Sequence, residues 1–194
     1  IINMYDGIQG INGTRSDENH GVQIEYQLTE MYSDNTETKS SEGEQAQFQT
    51  FNVEATNGVV TDYYRSMFNV IFRANVVLQN LEVASEENRL AFEGEAKFVR
   101  AYGYFQMVRL FGDLPLVDRV LDPLDYESQF TRVSEEEIYE LIQSDLLVAV
   151  AGLGDGDYGR ASRSAAQALL AKVYLTIGKH EQAVPLLESV MDSG

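Results

Sequence analysis

The chain has 194 residues, 44% hydrophobic and 23% charged, which allows one sizeable folded core and excludes intrinsic disorder. Its 31 acidic residues against 14 basic ones give a net charge of −17, which argues against nucleic acid as a partner. With no cysteine and only two histidines, the sequence has almost no material for a metal centre or a Ser-His-acid triad. We therefore expect no cofactor, no metal and no enzymatic activity.

Residues 1–62 are predicted to be a loop-rich insertion that begins with a short helix over 1–11. From Gln23 to Phe51 the sequence is rich in Ser, Thr, Asn, Asp, Glu and Gly, with aromatic residues interspersed. A structureless segment of this length inside a domain is either functional or disordered. The aromatic residues favour a functional segment, because they do not suit a solvated tail.

Residues 63–194 show helical periodicity, and the ends of the predicted helices carry recognisable signals. A helix is predicted from Tyr63 to about 81, and a longer one from Ser85, a candidate N-cap, to Gly112. Ser134-Glu-Glu-Glu is a capping box that starts a helix to about 152. Two more helices are predicted over 162–178 and 180–191. We expect one structural domain that is part of a longer chain.

The last two predicted helices fit the spacing of a tetratricopeptide repeat. That repeat has a large, a small and an aromatic residue in its first helix, then a small and a large residue in its second. Leu170, Ala171, Tyr174, Ala183 and Leu187 occupy these five positions. The predicted fold class is therefore all-α, a superhelix of tetratricopeptide-like helical hairpins with loop-rich insertions. A simple helical hairpin with a glycine turn remains an alternative.

Residues 94–116, GEAKFVRAYGYFQMVRLFGDLPL, resemble the central signature of the SusD/RagB family of surface glycan-binding lipoproteins. Ala74-Asn75 is similar to an "A-N" pair in a helix of that family. Residues 136–153 are similar to its "E-x-Y-x-x-I-x-x-D-L" helix, and residues 159–161 to its "G-R-A" sequence. The resemblance covers residues 63–191 well and the first 62 residues loosely.

The resemblance implies non-catalytic capture of an oligo- or polysaccharide and its delivery to a SusC-like TonB-dependent transporter. It also implies the external face of the outer membrane, with attachment only through an N-terminal lipid anchor that this sequence does not contain. A tetratricopeptide-like scaffold that binds proteins is an alternative function, and an all-α glycoside hydrolase is a second one.

Glycan binding requires aromatic rings for the C–H faces of sugars and polar side chains for their hydroxyls. Asp34 is the leading candidate, because it matches an Asp of the family in the loop before the "A-N" helix. The full set of candidates comprises Tyr32, Asp34, Asn35, Phe48, Phe51, Asn52 and Tyr63.

A second group of residues on the helices is predicted to be structural. Arg100 and Arg109 both lie on the long helix predicted from Ser85 to Gly112. Glu95 and Asp113 are their expected ion-pair partners. The other predicted structural residues are Asn75, Tyr104 and Tyr174.

Overall fold

Eight α-helices and one two-stranded sheet are present in the computed structural model, which describes residues 1–8, 20–39, 42–122, 124, 130–154 and 159–193. The helices are α1 (Ile2–Ile8), α2 (His20–Thr29), α3 (Ala46–Gln49), α4 (Gly58–Gln79), α5 (Glu86–Phe111), α6 (Glu135–Gly152), α7 (Arg163–Thr176) and α8 (His180–Asp192). Strands β1 (Leu114–Pro115) and β2 (Arg132–Val133) pair antiparallel, with Leu114 opposite Val133. None of the helices described is long and apolar enough to cross a bilayer.

The chain divides into two units, and the boundary falls within α4. The small unit is Tyr5–Val70, and the helical unit is Ile1–Met4 with Ile71–Gly194. In the helical unit, α5 packs on α6, α6 on α7, and α7 on α8. These pairs form the helical hairpins that the sequence predicts, and the all-α, tetratricopeptide-like fold class is confirmed.

Close packing of α5 on α6 depends on two glycines that face each other's helix. A Cβ atom at Gly152 would lie 2.7 Å from the Leu90 carbonyl oxygen, and one at Gly94 would lie 3.1 Å from the Leu153 side chain. A methyl group at Gly152 would therefore force the two helices apart, because the atom in its way belongs to the backbone.

Most of the predicted helix ends are confirmed. The hydroxyl of Ser134 accepts a hydrogen bond from the Glu137 N–H at the start of α6, and that of Ser162 accepts one from the Ala165 N–H at the start of α7. Gly112 follows α5 with a φ of 68°, and Gly178 follows α7 with a φ of 76°. These left-handed conformations are the ones that glycine adopts most easily after a helix.

Two predictions about the first 62 residues were wrong in part. Residues 20–29 form α2, within what was predicted as loop, and α4 begins at Gly58, five positions before Tyr63. The buried Asn57 side chain caps α4 by accepting from the N–H groups of Val59 and Val60, at 3.0 and 3.2 Å. The predicted N-terminal helix is observed as α1, and residues 9–11 lie outside the described part.

Candidate functional site

Except for Tyr63 in α4, the candidate glycan-binding residues lie in two short segments of the small unit that are bonded to each other. A turn of 3-10 helix, Glu30–Tyr32, leads into residues 33–38, and the Glu30 carbonyl oxygen accepts bonds from Ser33 and Thr36. Thr38 donates its N–H and its hydroxyl to the side-chain oxygen of Gln49 in α3, at 2.9 and 2.7 Å. The two segments therefore have a fixed local arrangement.

Helix α3 ends on a bulky residue in an unusual backbone conformation. The N–H of Asn52 donates to the Gln47 carbonyl and the N–H of Phe51 to that of Phe48, which together form a Schellman motif. The residue in the left-handed position of this motif is usually glycine, but here it is Phe51, with a φ of 55°. Among the described residues, Phe51 is the one non-glycine residue with a positive φ.

Three aromatic rings meet at this helix end. Tyr32 lies 5.6 Å from the ring of Phe48 in an edge-on contact and 5.6 Å from the ring of Phe51 at an interplanar angle of 46°. Phe48 is buried, Tyr32 is 38% exposed and Phe51 is 67% exposed. Partial burial raises the pKa of Tyr32, so its hydroxyl is a neutral donor at physiological pH. We call the exposed rings of Tyr32 and Phe51 the ring pair.

Polar candidates flank the ring pair along the chain. Asp34 and Asn35 form an exposed turn two and three residues after Tyr32, and the Asn35 N–H donates to the Ser33 hydroxyl. Asn52 is exposed and follows Phe51 directly. A carboxylate and two carboxamides are thus available to solvent within three residues of a ring. Such groups are suited to bind hydroxyls.

Tyr63 does not belong to this surface. Its side chain is 1% exposed within α4, so it cannot stack on a ligand in solution. This burial corrects the prediction that Tyr63 contacts a glycan, and it also places Phe48 beneath the ring pair rather than in it. The remaining five candidates stay as predictions: Tyr32, Asp34, Asn35, Phe51 and Asn52.

In the helical unit, the predicted structural residues hold an extended segment, residues 115–119, by its backbone. The Asn75 side-chain amide donates to the carbonyl oxygens of Val117 and Arg119, at 2.9 and 3.2 Å. Arg100 donates to the Asp118 carbonyl at 2.8 Å and to the Asn75 side-chain oxygen at 2.9 Å. These buried groups supply partners that a neighbouring strand would otherwise provide.

Tyr104 completes this set of contacts. Its hydroxyl accepts from the Val117 N–H at 2.6 Å and donates to the Val117 carbonyl at 3.1 Å. Burial raises the pKa of Tyr104 well above its ordinary value, and the smaller effects of the Val117 hydrogen bond and the Arg100 charge lower it. The phenol therefore stays protonated and can both donate and accept.

The predicted ion-pair partners were wrong. Arg100 binds Asp145 of α6 through two nitrogens, at 2.7 and 2.8 Å, and not Glu95. Lys97 lies 3.1 Å from the same carboxylate, while Glu95 pairs with Arg160 through two hydrogen bonds. Each of these pairs joins residues that are 45 or more positions apart, so the register of the helices, and not sequence proximity, selects the partner.

Arg109 and Asp113 also have partners other than each other. The Arg109 guanidinium bonds to Gln106 and the Phe105 carbonyl and lies 4.3 Å from the centre of the Phe105 ring. Asp113 accepts from the Glu135 N–H at 3.1 Å, at the start of α6. Its negative charge lies at a helix N-terminus, where the helix dipole is favourable.

Tyr174 is buried in α7, and its carbonyl accepts from the Lys179 N–H at 2.8 Å across the α7–α8 turn.

Asp145 and Arg160 are structural residues that were not predicted from the sequence. Both stand inside motifs that resemble the SusD/RagB family, the "D-L" and the "G-R-A", and this was the available signal. No group of three potential metal ligands occurs in the part of the chain that the structure describes.

Comparisons with known proteins agree with the fold. A family profile, SusD-like, described as starch-binding associating with the outer membrane, matches residues 4–175. SusD-like protein P2 of Formosa agariphila is 31% identical over 159 residues, which cover 80% of this chain and 32% of that protein. This chain thus spans about a third of that relative.

Two solved structures extend the comparison to three dimensions. A laminarin-binding SusD-like protein superposes with a TM-score of 0.82 at 29% identity, over 97% of this chain and 41% of that one. A SusD-like protein of Bacteroides fragilis superposes with a TM-score of 0.81 at 25% identity, over 100% of this chain and 37% of that one.

Proposed function

This chain belongs to the SusD-like family, and on that premise we propose that it binds a glycan at the ring pair of Tyr32 and Phe51. The observation that carries the proposal is the conformation of Phe51. A non-glycine residue in the left-handed region costs about 1–2 kcal/mol, yet the ring that it carries is 67% exposed, so its burial offsets only part of that cost. Such strain is typical of positions that serve binding rather than stability.

The chemistry of the surroundings suits a sugar. The C–H face of a pyranose stacks on an aromatic ring, and its hydroxyls need donors and acceptors at the rim. The two rings meet at 46°, so they form an angled surface on which one sugar can contact both. Asp34 would accept from hydroxyls, while Asn35 and Asn52 can donate and accept.

For the whole protein we propose capture of a polysaccharide without cleavage and its transfer to a TonB-dependent transporter. The family description, starch-binding with association to the outer membrane, supports this role. A lipid anchor on the external face of that membrane belongs to the same proposal. The laminarin-binding relative makes a soluble glucan the first ligand to test.

Affinity electrophoresis tests the site directly. The chain is run through gels that contain laminarin, amylopectin, xylan or mannan, and the same mixtures are assayed for new reducing ends. We expect retardation by at least one polymer without new ends, and loss of that retardation in Phe51→Ala. Phe130→Ala is the matched control, because Phe130 is a phenylalanine of the helical unit with similar exposure, 64%.

Each outcome separates the alternatives. Equal loss of retardation in Phe51→Ala and Phe130→Ala would contradict the assignment of the site to the ring pair. New reducing ends would favour a glycoside hydrolase, and a chain that no polymer retards would favour a protein-binding scaffold. Circular dichroism of both variants shows whether they keep the helical fold.

A further inference from the structure

Charge in the small unit is strongly one-sided around the ring pair. Between residues 25 and 54 the sequence has seven carboxylates and one basic side chain, Lys39. The carboxylates are Glu25, Glu30, Asp34, Glu37, Glu42, Glu44 and Glu54. Proteins that bind sulfate or carboxylate groups use arginine and lysine for charge-assisted hydrogen bonds. This segment has the opposite composition.

Two of the exposed carboxylates are carried by backbone that is bonded to α3, the short helix that positions Phe51. Glu54 follows Phe51 by three residues, and its N–H donates to the side chain of Gln47 at 3.0 Å. Glu37 follows Asp34 by three residues and precedes Thr38, whose N–H and hydroxyl donate to Gln49. Three residues of chain span at most about 10 Å, which is close to one Debye length at 0.1 M salt.

We propose, on the basis of the function proposed above, that the site selects uncharged glycans and rejects sulfated or uronate-rich ones. A sulfate on a sugar that is stacked on the ring pair would lie within reach of the charges of Asp34, Glu37 and Glu54. A neutral sugar experiences no such repulsion, and its hydroxyls can donate to Asp34, while Glu37 and Glu54 act only through their charge. The carboxylates thus define which class of polymer can bind.

The size of the effect follows from Coulomb's law. A sulfate and a carboxylate about 8 Å apart in water repel each other enough to weaken binding by a factor of about two. Three such carboxylates give roughly tenfold when salt does not screen them. At 0.3 M salt the screening length falls to about half its value at 0.1 M, so most of this discrimination disappears.

The experiment compares one polymer in two charge states. The neutral polymer that retards the chain, with laminarin tested first, is lightly sulfated, and the affinities for both forms are measured at 20 mM and 300 mM NaCl. We expect the sulfated form to bind about tenfold more weakly at 20 mM and within about twofold at 300 mM. The double variant Glu37→Gln, Glu54→Gln should reduce the low-salt gap to about two- to threefold while binding of the neutral form stays unchanged.

A control separates local charge from net charge. The double variant Glu82→Gln, Glu188→Gln removes the same two charges from exposed positions of the helical unit and should leave the gap unchanged. Equal or tighter binding of the sulfated polymer would overturn the charge selection and leave glycan binding in place. An equal effect of both double variants would overturn the role of the two residues beside the ring pair. If neither form binds, the proposed function fails, and the selectivity fails with it.

Discussion

The backbone at Phe51 makes a prediction about stability that runs against the ordinary behaviour of glycine. Replacing Phe51 by Ala and by Gly removes the same ring, so the two variants differ only in how easily they adopt a φ of 55°. Alanine costs about 1–2 kcal/mol in the left-handed region, and glycine adopts it almost freely. We expect Phe51→Gly to be more stable than Phe51→Ala by about 1 kcal/mol.

The comparison with the natural residue follows from its partial burial. About a third of Phe51 is buried. Burial of a whole Phe side chain contributes about 1.5–3 kcal/mol, so this third contributes roughly 0.5–1 kcal/mol. The contact with the Tyr32 ring adds about 0.5–1.5 kcal/mol. The relief of strain offsets most of this loss in Phe51→Gly, so that variant should lie within about 1 kcal/mol of the natural chain while it no longer binds glycan.

Urea and thermal unfolding, followed by circular dichroism, measure the difference. A change of about 1 kcal/mol corresponds to roughly 2–4 °C in Tm for a chain of this size. The control is Thr50, the preceding residue, which has a φ of −86°. There the Gly variant should be less stable than the Ala variant by about 0.5–1 kcal/mol. If Ala at position 51 were as stable as Gly, the reasoning about strain would be refuted.

Two further predictions concern the helical unit. Asp145→Asn should lower the free energy of unfolding by about 3–5 kcal/mol, because it leaves the buried Arg100 charge without its partner. Urea unfolding measures this change. The control is Asp118→Asn, which removes a carboxylate that is 53% exposed and should cost under about 1 kcal/mol. Tyr104→Phe leaves the Val117 N–H without its acceptor and should cost about 1–3 kcal/mol. Because burial raises the pKa of Tyr104, the unfolded chain loses this proton at a lower pH than the folded one, so stability that is complete below pH 10 declines above it. In Tyr104→Phe the free energy of unfolding should fall less steeply with pH above 10. An unchanged slope would contradict the assignment of the decline to the Tyr104 phenol.

Local signals predicted the helices of the helical unit well. Ser134 was recognisable as an N-cap, the next helix was predicted to start at Ser162, and predicted helices ended at Gly112 and Gly178, because capping depends on residues within one turn of each other. The start of α4 at Gly58 was missed because the residues there have low helix propensity. Gly58 and the β-branched residues after it are poor helix formers, and the helix begins there because the buried Asn57 caps it.

The candidate site shows where sequence reasoning reaches its limit. The aromatic residues of the small unit were identified from the sequence, but the burial of Phe48 and the exposure of Phe51 were not. The two residues are three positions apart, and a helical pattern places such residues on the same face. Sequence reasoning could not predict the left-handed backbone at Phe51, a position where glycine is the usual residue. Likewise, the partner of Arg100 depends on how α5 and α6 align, which no short pattern encodes.

Hydrogen bonds from Asn75, Arg100 and Tyr104 reach residues 115–119 only through their peptide groups. The contacts that hold the backbone of this segment therefore come from the helices, while the side chains of Asp118 and Arg119 are exposed. A chemist can use this freedom. Because the chain contains no cysteine, Asp118→Cys would introduce a single thiol for a fluorophore or a surface linkage, at a position whose backbone is held firmly.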